Sequence, residues 1–361
     1  MRSWHAPGDE TLTLQGARIC LSYPGLFSAL RMNDQLSNGL PELGVRGNRI
    51  VVADNRQPIL LRGVNRSGLE WAEPDCGGFC SAAGISLSEI EHIVKAWNCN
   101  VIRLPFNQDW ALNGRGAHAA EAYLSDLDSV IEWASQAGAY TLLDLQWLDA
   151  DRSFGGNRNF VAPLPNLRSL DVWKLLATRY RDEPAVLYDI FNEPHDRLHD
   201  DPHPLIRHDG SLYPMTQRRV TMAEWQPWAL QLIDAIRTVH PESLVFVSGV
   251  DWGYDLRGMP LDRSDLVYCT HVYRNKRLSW EAAFGVLATT APVFAAEWGG
   301  HGEDLEWGQR LADYFDQLGI GWTAWSWSNE PFLISGGLPT AFGEIVRRRL
   351  VPPPSQAQKL S

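Results

Sequence analysis

Two glutamates sit where a pair of carboxyl groups could work on a glycosidic bond. Glu193 follows residues 185–191, a run that is apolar except for Asp189. The run is too short for a helix and suits a strand buried on both faces of a parallel sheet. Pro194 cannot donate to a strand ladder, so it ends the strand just past the acid. Glu297 closes a second apolar run, residues 293–296, ahead of Trp298 and Gly299. Barrel enzymes carry their reacting groups at such C-terminal strand tips. In glycoside hydrolysis one carboxyl stays protonated to help the leaving oxygen, and the other is ionised to attack the anomeric carbon. Arg103, inside the strand-like stretch 100–105, would keep Glu297 anionic, and that charge would raise the pKa of Glu193. Tyr273 could donate to the nucleophile. A lone Asn-Glu-Pro is more often a turn acid, and the tripeptide recurs at Asn329-Glu330-Pro331, so context has to decide.

The elements that must position these acids alternate along the chain. Gly47-Asn48-Arg49, the run Ile50-Val51-Val52 and the turn signal Asp54-Asn55 suggest a hairpin under a barrel, and residues 59–64 its first strand. Ser86-Leu87-Ser88-Glu89 is a capping box, with Leu87, Ile90, Val94 and Trp97 on one helical face. Strands are expected at 100–105, 140–146, 185–191, 244–247, 266–273, 293–297 and 321–327. Helices are expected at 123–137, 170–180, from Thr221 to Val239 despite Pro227, and at 280–289, 305–318 and 340–350. Eight strands alternating with helices indicate an α/β fold, a single (β/α)8 TIM barrel over residues 47–351. Residues 1–46 form an irregular extension without a period, and 352–361 a tail. A doubly wound sheet is the alternative, but no Gly-rich phosphate loop follows an early strand.

Composition narrows the partners. The chain has 361 residues, 45% of them apolar, enough for a sizeable core. A net charge of −11 argues against nucleic acid or an anionic membrane as partner. No segment reaches membrane-spanning length, and the N-terminus lacks the order of a signal peptide. Of sixteen tryptophans most should be core or loop packing, since barrels bury many aromatics, and a minority should line a cleft and stack on sugar rings. Of five cysteines, Cys99 and Cys269 read as buried thiols. Cys76 and Cys80 could close a disulfide or remain free.

The strand tips are polar and unlike one another: Asn65 and Arg66, Arg103, Gln146 and Trp147, Asn192 and Glu193, Asp251 and Trp252, His271 and Tyr273, Glu297 and Trp298, Trp325. With Leu61-Arg62-Gly63-Val64-Asn65, Val101-Ile102-Arg103-Leu104-Pro105, Asn192-Glu193-Pro194-His195, His271-Val272-Tyr273, Ala296-Glu297-Trp298-Gly299 and Trp325-Ser326-Trp327 in this order, the chain resembles glycoside hydrolase family 5, the cellulase-like enzymes. The resemblance implies a retaining mechanism with Glu193 as acid/base and Glu297 as nucleophile. It implies support from Arg103, Asn192, His271 and Tyr273, and Trp325 as the platform under the sugar before the cut. It also implies a secreted enzyme, and it sets Glu330 aside, because that acid follows the eighth strand. Gln146 stands where a histidine is usual; it can bond a sugar hydroxyl but carries no charge.

The expected function is hydrolysis of β-1,4-linked polysaccharide or oligosaccharide, foremost β-glucan and within the chain, by a monomer. β-Mannan on the same scaffold and a non-catalytic carbohydrate-binding barrel are the alternatives. The substrate-binding residues are Gln146, Trp147, Trp252, Trp298 and Trp325. No metal or cofactor is expected, since two carboxyls supply the chemistry. The loop 195–209, with four histidines among aspartates, reads as a solvated insertion at the mouth; a metal site is the lesser alternative, since the histidine spacings match no standard ligand motif.

Overall fold

The computed structural model describes residues 39–149, 161–199, 201, 203–300 and 305–350. Two short strands, β1 (Leu43–Arg46) and β2 (Arg49–Val52), pair antiparallel around Gly47-Asn48. Gly47 has a φ of 61°, the left-handed conformation that tight hairpin turns require. The hairpin therefore begins inside the stretch expected to be irregular. The tail and residues 1–38 lie outside the described residues.

Eight parallel strands then close on themselves: β3 (Arg62–Asn65), β4 (Val101–Asn107), β5 (Tyr140–Trp147), β6 (Val186–Asp189), β7 (Val245–Ser248), β8 (Leu266–Val272), β9 (Val293–Trp298) and β10 (Gly321–Ala324). β10 pairs with both β9 and β3, so the sheet is a closed (β/α)8 barrel and not a doubly wound sheet. Helices Ala120–Ala137, Arg168–Tyr180, Met222–Arg237, Leu305–Leu318 and Ala341–Leu350 pack outside it. Thr221 and Glu224 form the expected capping box, and Pro227 is accommodated inside that helix. The segment after β3 winds from Leu87–Glu91 into a π-helical turn, and Leu87, expected on its buried face, is 46% exposed. Between β7 and β8 the connection is irregular, with no helix.

Period-two strands sort their side chains into two cores. Leu61, Val101, Leu142, Leu187, Phe246, Val267, Cys269 and Phe294 fill the barrel, floored by Leu43 and Ile50 of the hairpin. A larger layer lies between strands and helices and holds Trp173, Trp225, Trp228, Trp298 and Trp322.

Two strands break the alternation at the mouth. Thr270 pairs with Ala295 but His271 pairs with Glu297, which leaves Ala296 as an extra residue in β9. Phe106 pairs with Leu145 and Asn107 with Trp147, which leaves Gln146 extra in β5. Such bulges re-aim side chains next to them. The Ala296 carbonyl, diverted from the ladder, accepts from Asn65 Nδ2 at 2.9 Å and Thr323 Oγ1 at 2.5 Å. Ala296 and Phe294 face the barrel interior, and the extra residue turns Glu297 to that same side.

Candidate active site

Arg103 is the hub of the mouth. It is fully buried on β4 and every arm of its guanidinium is engaged. Nε donates to Asp189 Oδ2, Nη1 to Asn65 Oδ1 and Glu297 Oε1, and Nη2 to Asn192 Oδ1, all at 2.9 Å. Asp144 Oδ1 also lies 2.9 Å from Nη2. Neither Asp144 oxygen makes a directed hydrogen bond among the described residues. Burial by itself would weaken the Arg103 charge, but Asp144, Asp189 and Glu297 outweigh it and hold the proton firmly. Asp144 and Asp189 pay the opposing cost: burial raises both, Asp144 well above the carboxylate range and Asp189 to about 6.

Glu297 receives a second donor, Tyr273 Oη, at 2.7 Å on Oε2. Burial and the neighbouring Glu297 raise the Tyr273 phenol well above its usual range, so it remains a donor. Glu193 sits opposite, its Oε1 2.9 Å from His271 Nδ1, with Glu297 Oε2 at 3.7 Å from the same nitrogen. One ligand atom each of Glu193, His271 and Glu297 lies within 4.8 Å of the others. Burial pushes the Glu193 carboxyl up to about 7, opposed by Lys276 and Arg103 and helped by Asp251. The sequence pointed to Glu297 as the cause of that rise; the cause is desolvation, and the charge that adds to it is Asp251. Burial also lowers His271 to about 3, so its imidazole is neutral. A neutral ring can donate to a Glu193 carboxylate in one tautomer and accept from its carboxylic acid in the other.

Two cavities open at the C-terminal ends of the strands. One of about 340 Å³ is lined by Glu70 and Trp71 after β3, Gln146 and Trp147 at the end of β5, and Trp325 and Asn329 after β10. Gln146 Oε1 is buried and has no hydrogen-bond partner among the described residues. The β5 bulge lets Gln146 and its neighbour Trp147 line the same space. The other cavity, about 700 Å³, lies over the opposite half of the barrel, beyond β6, β7 and β8, and includes Asp196, Asp251, Trp252 and Lys276.

Trp298 does not reach either cavity. It is 0% exposed and points outward, its ring within 6 Å of Phe315, Trp322 and Phe342. Its assignment to substrate binding is corrected: with Glu297 turned inward, the next residue along the strand faces the helices. Trp298→Ala is therefore expected to cost about 3–5 kcal/mol of stability in urea unfolding, with KM unchanged.

The other readings resolve individually. Glu330 is exposed, and its carbonyl accepts from Trp325 Nε1 at 3.0 Å. Cys76 and Cys80 are free thiols, as are the buried Cys99 and Cys269. The loop after Glu193 is packed rather than simply solvated: Arg197, Asp201 and Leu205 are buried. His195 is buried too. Its ring stacks on Trp252 at 3.6 Å, and its Nδ1 meets the Glu193 carbonyl at 2.6 Å, so that nitrogen carries the proton. Asp144, Glu70, Trp71, Asn329 and Lys276 escaped the sequence reading. Asp189 was visible in it as the one acid of an apolar run, and Asp144 lies two residues before Gln146 on the same strand face.

The family model described as cellulase, glycosyl hydrolase family 5, matches residues 52–331. The chain is 24% identical over 307 residues to endoglucanase MaCel5A of Microbulbifer sp. (strain ALW1), covering 80% of this chain and 51% of that protein. It is 25% identical over 335 residues to an endoglucanase of Paenibacillus polymyxa, covering 78% of each. The chain thus spans about half the length of MaCel5A. Among solved structures, β-glucanase SdGluc5_26A from Saccharophagus degradans in complex with cellotetraose is similar at a TM-score of 0.67 and 24% identity, over 91% of this chain and 97% of that one. The catalytic domain of Thermobifida fusca endoglucanase Cel5A is similar at 0.64 and 20%, over 86% and 97%. At these identities the structural likeness concerns the fold.

Proposed function

The chain belongs to the cellulase family, glycosyl hydrolase family 5, and from that membership we propose that it is a retaining glycoside hydrolase cutting β-1,4-linked glucan within the chain. The observation that carries the proposal is the carboxyl pair: one oxygen of Glu193 lies within 4.8 Å of one of Glu297, an approach that suits the ~5–5.5 Å carboxyl spacing of retaining enzymes better than the ~6.5–9.5 Å that leaves room for a water. Glu297 attacks the anomeric carbon while Glu193 gives its proton to the glycosidic oxygen, which leaves with the bond's electron pair. In the second step Glu193 takes a proton from water, whose oxygen displaces Glu297 and restores both groups. Arg103 and Tyr273 orient the nucleophile, and Asn192 and His271 the flanks of the acid.

Cavities over both halves of the mouth support cleavage inside a chain, since sugars can extend either way from the scissile bond. The naming of its relatives as endoglucanases, and the cellotetraose held by SdGluc5_26A, favour glucose units. Incubation with cellohexaose and mannohexaose tests the substrate. Internal cleavage of cellohexaose is expected; hydrolysis of mannohexaose alone would remove the glucan reading.

The pH profile offers a separate check. Because Glu193 must donate, and its carboxyl is pushed up to about 7, kcat/KM should fall as pH rises through about 7. An alkaline limb below about 5, near an ordinary glutamate, would contradict that role.

A further inference from the structure

On the side of the mouth beyond β7, three consecutive residues wind left-handed: Asp251, Trp252 and Gly253 have φ of 58°, 59° and 73°. Residues with a Cβ adopt this conformation at an energetic cost, and it persists only where surrounding contacts hold it. Glycine is required at the third place, because a Cβ there would lie 2.7 Å from the His271 ring. The turn grips both flanks of Glu193. Trp252 N–H donates to the Pro194 carbonyl at 3.1 Å, and the Gly253 carbonyl accepts from His271 N–H at 3.3 Å. Trp252 also stacks on His195, which holds the Glu193 carbonyl.

The outward carbonyls of this turn are closed by one side chain. Lys276, three residues past Tyr273, brings Nζ to 2.5 Å from the Asp251 carbonyl and 3.5 Å from that of Trp252. The Tyr254 N–H also reaches the Asp251 carbonyl, at 3.4 Å. Nζ lies 5.5 Å from the Tyr254 ring, and Lys276 lines the 700 Å³ cavity with Asp251 and Trp252.

We propose that Lys276 is a positioning residue for the acid/base: its ammonium locks the left-handed turn that fixes Glu193 and places a cation beside that carboxyl on the leaving-group side. The proposal rests on the reading of Glu193 as acid/base. The groups facing Glu193 are His271 and Tyr273 from β8 and its tip, Glu297 from β9, Arg103 from β4, Asp251 from the turn, and Lys276. Among these charges Lys276 is the foremost opponent of the burial that raises the Glu193 carboxyl, and Asp251 acts in the opposite sense.

The test is the pH profile of kcat/KM on cello-oligosaccharides for the full chain. Lys276→Met should move the alkaline limb up by about half a unit or more and lower kcat about tenfold or more, as the turn loosens. Lys276→Arg should return the limb to its place, and Asp251→Asn should move it down. A merely structural lysine would lower kcat with the limb unmoved, and that result overturns the proposal, as does equal impairment of the Met and Arg variants. Should Lys276→Met not fold, Lys276→Gln keeps a donor for the carbonyls without the charge. Its limb should still rise, and an unmoved limb again overturns the proposal. A wild-type limb that persists in Glu193→Gln would instead sink the reading of Glu193, whatever Lys276 does.

Discussion

Glu297→Gln is expected to lower kcat on β-1,4-glucan by a factor on the order of 10⁵, with the fold intact. The amide has no electron pair of comparable nucleophilicity to offer the anomeric carbon, so neither formation nor breakdown of a covalent intermediate can proceed. The fold should persist because Arg103 keeps Asp189, Asn65 and Asn192 as partners. Steady-state rates together with urea unfolding separate the two effects. A loss below about tenfold would remove Glu297 from the reaction, since the replacement leaves no alternative attacking group on β9.

Glu193→Gln should cost less, about 10²–10⁴ in kcat on the same substrate. The loss comes from the proton that the leaving oxygen no longer receives. It should shrink markedly on an aryl glucoside whose phenolate leaves unaided, for the step in which the sugar is transferred to Glu297. It should also abolish the alkaline limb near pH 7, which belongs to this carboxyl. An equal loss on glucan and on the activated glycoside, with the limb retained, would assign Glu193 a role other than proton transfer.

The barrel and its two acids were legible because they rest on short-range signals. Apolar runs of four to seven residues ended by Pro194 or by Trp298-Gly299 mark strand tips, and the alternation with capped helices leaves few topologies open. What the sequence did not reveal depends on pairing between strands. The extra residue at Ala296 decides that Glu297 faces in and Trp298 faces out, and no local pattern announces it. The same holds at Gln146, where a bulge lets two successive residues line one cavity. The hairpin strand Leu43–Arg46 was missed because four residues with one Gly carry too little periodicity to stand out. Lys276 and the left-handed turn were invisible for a different reason: their meaning lies in carbonyl directions and not in residue types.

The buried charges follow the same division. Arg103 was identifiable as a strand-tip cation beside Glu297, but Asp144 and Asp189 join it only when β4, β5 and β6 stand in register. Removing the cation would leave several buried acids without it, which ties the stability of the barrel mouth to its chemistry.

In the proposed reaction Glu297 bonds transiently to the sugar within reach of Glu193. Proton NMR of cellohexaose in the first minutes of hydrolysis, before mutarotation, reads the anomer at the newly formed reducing end. Two successive displacements at one carbon predict that the β-anomer appears first. An initial α-anomer would mean a single displacement by water, and the account built on this carboxyl pair would be wrong.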